Sequence, residues 1–164
     1  MDIKMILEEL EIYLNKRLLK EPHSVVCESF ESGIIRYPTR AIENEMEDFI
    51  NNKKKPSFSS LLFHYIDERK LSDSQIYKKA GIDRRHFSKI RSNKDYRPGK
   101  NTVIALCLGL ELTREEADAL LESCGFSLSA SEMFDLIIAF CLERKIYDIY
   151  TVNFMLDRYK LKTL

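Results

Sequence analysis

The chain has little of the two residues that punctuate turn-rich folds: its 164 residues include five Gly and four Pro. That scarcity argues against an architecture of many short strands and favours helices. Net charge is absent as well, with 26 basic side chains balancing 26 acidic ones. A protein that is basic all over is therefore excluded. A basic face is not, because binding fields follow the local distribution of charge.

Cysteine is sparse and scattered. Cys27, Cys107, Cys124 and Cys141 show neither CxxC spacing nor a neighbouring His pair, so no metal site is expected. Three of the four fall on apolar helix positions, where a reduced thiol behaves as a small hydrophobe, and the expected setting is cytoplasmic. The opening MDIKMILEELEIYL carries acids within its apolar run. It is expected to be neither a signal peptide nor a membrane span. There is no internal repeat of fixed period and no low-complexity tract.

Catalytic signatures are missing too. His23, His64 and His86 are scattered, and the chain has no nucleophile elbow, phosphate-cradling glycine loop or HExxH. Glu43 and Glu47 lie one turn apart, a pairing common on exposed helices. The expectation is a non-enzyme with no catalytic residue, no cofactor and no metal.

What the chain does have is helical periodicity. Ile3, Ile6, Leu7, Leu10, Tyr13, Leu14 and Leu18 make an amphipathic stripe that needs a partner. Residues 24–37 hold two β-like runs around Glu31-Ser32-Gly33, compatible with a small hairpin or an irregular loop. From Thr39, Ile42, Met46, Phe49 and Ile50 line one side of a helix that ends in NNKKKP. That polar run sets an expected boundary: residues 1–55 form a small helical appendage and 57–164 the main domain.

Ser57 can cap a helix carrying Phe58, Leu61, Leu62, Tyr65 and Ile66. Ser72 with Gln75 forms a capping box for the next, which Gly81 ends in a left-handed turn. Asp83 then caps a short helix with Phe87 and Ile90 inward and Arg84, Arg85 and Lys89 outward. After the loop Asn93 to Lys100, residues 102–111 bury Val103, Leu106, Cys107 and Leu110. Thr113 with Glu116 makes a second capping box, for a helix that stops at Gly125. These elements form a five-helix bundle around a helix-turn-helix. Ser129 with Glu132, and then Asp148, are expected to cap two further helices. The apolar excess of that pair, Phe154 and Met155 included, suits either a core extension or a dimer surface. The fold class is thus all-α: the bundle, a C-terminal helix pair and the N-terminal appendage.

Charge is segregated: residues 1–50 lean acidic, Lys78 to Lys100 is dense in Lys and Arg, and Glu115 to Asp135 is acidic again. Such runs are commonly solvated helix faces. Here the basic residues cluster around one motif, which points to nucleic acid.

Residues 58–124 resemble the phage-repressor-like helix-turn-helix family, of the Cro and XRE type. The likeness runs through Leu71-Ser72, Ile76, Ala80-Gly81-Ile82, Ser88-Lys89-Ile90, Pro98, Thr102, Leu106 and Leu110-Glu111-Leu112-Thr113. The run from FSSLLFHYIDERK through YDIY also resembles an uncharacterised bacterial group in which it stands C-terminal to variable parts. The resemblance implies double-stranded DNA as partner, with the second motif helix in the major groove and a homodimer reading the site. Carried over by position, Arg84, Arg85, His86, Ser88, Lys89 and Ser92 would face bases or backbone. A guanidinium there offers guanine two parallel donors. Lys78, Lys79, Lys94, Arg97 and Lys100 would supply phosphate contacts, with Tyr96 beside them.

Two positions depart from the family pattern. Asp73 stands where Gln often contacts phosphate, and Tyr77 where a small Ala packs. They favour the other expectation, a helical interaction module, an adaptor or inhibitor docking on a protein or RNA through its N-terminal or C-terminal helices.

Overall fold

Two helices are apolar on every side and so occupy the centre. The computed structural model describes residues 3–18 and 39–164, and among these it is all-α, with nine helices and no strand. In chain order they are α1 (Ile3–Leu18), α2 (Thr39–Lys53), α3 (Phe58–Glu68), α4 (Asp73–Lys79), α5 (Arg84–Ser92), α6 (Lys100–Gly109), α7 (Arg114–Ser123), α8 (Met133–Glu143) and α9 (Ile149–Arg158). The central pair is α6, buried from Val103 to Gly109, and α8, buried from Asp135 to Leu142. Around them, α4, α7 and α9 pack on α6, while α1, α7 and α9 pack on α8. Single-face reasoning on α6 therefore missed Ile104, Ala105, Leu108 and Gly109, all of which are inside.

The expected domain boundary needs correction. α1 belongs to the same compact unit as Pro56–Leu164, and only Glu21–Lys55, which contains α2, forms a second unit. Ile6, Leu10 and Leu14 join the main core, Tyr13 donates to Glu143 Oε1 at 3.0 Å, and its ring meets Phe140 edge-on at 5.3 Å. α1 is thus part of the core wall, with Arg144 to Glu9 at 3.3 Å on its rim. On α2, Met46, Phe49 and Ile50 are exposed. The possible hairpin at 24–37 lies outside the described residues.

Most caps stand where the sequence puts them. Ser57, Asp83 and Asp148 accept from backbone N–H groups, and both capping boxes, Ser72 with Gln75 and Thr113 with Glu116, are complete. Ser129 does not cap α8. The N-cap position is Glu132, which makes no side-chain cap, while Ser129 Oγ accepts from the Ser131 N–H. The Ser129 N–H instead donates to the buried Asp135 carboxylate at 2.8 Å. α6 also begins earlier than expected, at Lys100 behind Gly99.

Six of the helix ends, all from α3 on except that of α5, follow one device. After α4, Gly81 takes φ +62°, its N–H bonds to the Lys78 carbonyl, and Ile82 N–H reaches back to Tyr77. That paired bonding closes the helix, and the following apolar residue tucks against it. Lys70, Glu111, Lys145 and Lys160 do the same without glycine, at φ between 51° and 56°, each followed by Leu or Ile. A side chain in this region carries a steric cost of about 1 kcal/mol. Lys145→Gly should accordingly raise the unfolding free energy by about 0.5–1 kcal/mol, net of the chain entropy that glycine adds. Urea titration checks this, and a loss of stability would mean that the Lys145 side chain makes a contact that outweighs the strain.

One glycine is fixed by packing. A Cβ on Gly109 would stand 2.9 Å from the Ala80 Cβ and 3.0 Å from the Ala80 nitrogen. This close approach of α6 to the end of α4 holds the helix-turn-helix against the centre.

Between α3 and α7, Arg69 Nη2 donates to Glu116 Oε2 at 2.6 Å. Burial pushes the Glu116 carboxyl up, but Arg69 and the Thr113 N–H together outweigh it and hold the group below its ordinary value of 4.5. The stability this adds is complete above that value and is lost as pH falls through the depressed one. Arg69→Met should therefore lower the melting temperature at neutral pH and narrow the gap to wild type in acid. A gap that does not change with pH would remove Glu116 from the account.

Candidate nucleic-acid interface

α5 is short, amphipathic and free of carboxylates: RRHFSKIRS. Phe87 and Ile90 are buried, so at about 3.6 residues per turn Arg85, Ser88, Lys89 and Ser92 fall on the opposite, outward side. All four are exposed. Asp83 accepts from the Arg85 N–H at 2.7 Å and starts the helix. Among the described residues no carboxylate lies within ion-pair distance of Arg84, Arg85 or Lys89. Lys89 Nζ rests 4.4 Å from the centre of the Tyr96 ring. His86 turns to the same loop, with Nε2 3.2 Å from the Tyr96 hydroxyl, and is half-buried. The loop is anchored by the buried Pro98 and leaves Lys94 and Arg97 exposed. Ser92 Oγ caps the Lys89 carbonyl at 3.4 Å.

Three of the expected phosphate contacts stand elsewhere. Lys100 Nζ is bound to the Asp135 carboxylate at 2.6 Å, and Asp135 is 2% exposed. Its charge is therefore engaged inside the bundle. Lys79 pairs with Glu111 at 2.7 Å. With Lys78 it borders a depression shared with Tyr147 and Tyr150, at the start of α9 rather than beside α5.

The two departures from the family pattern have partners. Asp73 Oδ1 lies 3.1 Å from Arg91 Nη1 on α5, so the carboxylate is countered from within the motif. The Tyr77 ring is half-buried 6.2 Å from Phe87, filling the space between α4 and α5. Arg91 was missed by the sequence reading, although it falls two turns after Arg84 on the same side of α5. It ties α5 to α4 through Asp73 and to α3 through the Phe63 ring, 4.8 Å from its guanidinium.

Other chemistry is poorly served. Burial pushes the Cys107, Cys124 and Cys141 thiols up, Cys141 to about 12, so none is a ready nucleophile. Among the described residues no cluster of His, Cys, Asp or Glu is arranged to hold a metal ion, and no helix is long and apolar enough to cross a membrane. Comparison with known proteins finds no match among family models, curated proteins or solved structures.

Proposed function

We propose that the protein is a sequence-specific DNA-binding regulator, a repressor, that lays α5 in the major groove of a duplex. The observation carrying this reading is the outward stripe Arg85, Ser88, Lys89 and Ser92, exposed on a helix without a single acid. Arg85 would offer paired donors to a guanine edge. Arg84, Lys94 and Arg97, which border the stripe, would take phosphates and supply most of the affinity. One short recognition helix reads too few base pairs to specify a site, so the reading carries a homodimer.

A second reading has its own support. Tyr150 and Phe154, one turn apart on α9, are exposed by 83% and 50%. They favour an interaction module in which the bundle docks on another protein. Salt titration of binding to random-sequence duplex DNA separates the two. The regulator reading expects log K to fall linearly with log salt, and Arg85→Ala with Lys89→Ala to reduce that slope by about 2. No binding at low salt would overturn it in favour of docking.

A further inference from the structure

Along the flank of α5 that faces α4 and α3, and sharing Ser88 and Ser92 with its outward stripe, two depressions meet at Arg91. One, of about 400 Å³, is bordered by Tyr77, Arg84 and Ser88. The other, of about 540 Å³, is bordered by Ser60, Phe63 and Lys94. Arg91 lines both and joins them into one trough. Besides six serines, its lining sets aromatic groups among cationic ones: Tyr77 and Phe87 with Arg84, then Phe63 with Arg91 and Lys94. Among the described residues the only acid along it is Asp73, already paired with Arg91 at 3.1 Å. Among the described residues the Tyr77 hydroxyl has no hydrogen-bond partner and Arg84 no ion pair.

We propose that this trough binds a single strand of nucleic acid. Unpaired bases would stack on Tyr77 and on the Phe63–Arg91 pair, while Arg84 and Lys94 take the phosphates between them. The interleaving decides the class of ligand. Cations alone would suit any polyanion, including a phosphorylated peptide. Flat half-exposed rings beside each cation suit bases, whose stacking is tolerant of sequence and adds to the phosphate attraction. A base pair within a duplex cannot present its face in this way, so the rings of the trough select unpaired bases, although Ser88 and Ser92 at its edge also belong to the outward stripe. The trough does not depend on the duplex reading.

The full chain contains no Trp, so Phe63→Trp places a lone fluorophore on the platform. Adding oligothymidylate at low salt should quench it as bases stack. By anisotropy of labelled oligothymidylate, Tyr77→Leu should weaken binding about tenfold and Tyr77→Phe should retain it. Arg85→Ala with Lys89→Ala should leave it within about twofold while weakening duplex binding. Should Tyr77→Leu fail to fold, Arg84→Ala, at an exposed position, is read in its place with the same expected loss. Repeating the titration with oligouridylate separates RNA from DNA as the natural strand, and the proposal holds if either binds. Unchanged Trp emission with both oligonucleotides, or equal binding by wild type, Tyr77→Leu and Arg84→Ala, would overturn it. So would a phosphoserine peptide that binds at the trough where neither oligonucleotide does.

Discussion

Phe87→Ala should lower the unfolding free energy by about 3–5 kcal/mol. Phe87 is 2% exposed and lies where α5 meets the Tyr77 ring of α4. Truncation removes the apolar area that seats α5 and opens a void that neighbouring helices cannot collapse into. Gly109 and Ala80 are already in close contact where the end of α4 meets α6. The position of the motif would loosen together with its stability. Chemical denaturation gives the number, and a change below about 1 kcal/mol would mean that α5 presents the opposite face to the core.

The second large effect concerns Lys100, whose charge the sequence assigns to DNA and the structure to the core. Lys100→Ala leaves the Asp135 carboxylate buried with only the Ser129 N–H against it. Breaking such a pair from one side costs about 3–5 kcal/mol, and partial solvent access at Lys100 places the expectation near about 3. The pair also ties the start of α6 to the start of α8, the two central helices. Lys100→Met with Asp135→Leu removes both charges and should recover most of the loss. The cycle of single and double variants measures the coupling. Equal stability of Lys100→Ala and wild type would put Lys100 back among the surface charges.

These two residues also show what was legible in the sequence. Phe87 was readable because α5 is amphipathic: apolar residues three apart among cations leave one choice of inner face. Most caps, that of α8 excepted, were readable for the same local reason, since Ser, Thr and Asp bond to N–H groups two or three residues on. Lys100 was not readable, because its partner lies 35 residues away and Asp135 sits at the start of a mostly apolar helix. Nor was the place of α1. Its stripe announced a partner without saying which, and the polar run at Asn51 to Lys55 resembles a linker wherever α1 packs. The left-handed turns at Lys70, Glu111, Lys145 and Lys160 have no glycine to mark them. Their signal was the Leu or Ile immediately after a charged residue at the end of an apolar stripe. Arg91 was hidden by the outward-facing logic of recognition helices, which says little about the flank that meets α4 and α3.

The proposed interface divides in a similar way. Local pattern identified α5 and its exposed Arg84, Arg85, Ser88 and Lys89. Tertiary placement takes Lys79 and Lys100 away from that face and sets Arg91 and Phe63 along its flank. A basic stretch in sequence is therefore wider than the basic face it produces, because some of its cations are consumed by carboxylates brought in from other helices.

The most direct test compares the affinity of wild type, Arg85→Ala with Lys89→Ala, and Lys100→Ala for a short random-sequence duplex at low salt, below the melting temperature of each. The account predicts that wild type binds, that the double variant loses about tenfold or more at unchanged stability, and that the less stable Lys100→Ala keeps its affinity. A double variant that binds as wild type does, or a Lys100→Ala that loses affinity as the double variant should, would contradict it.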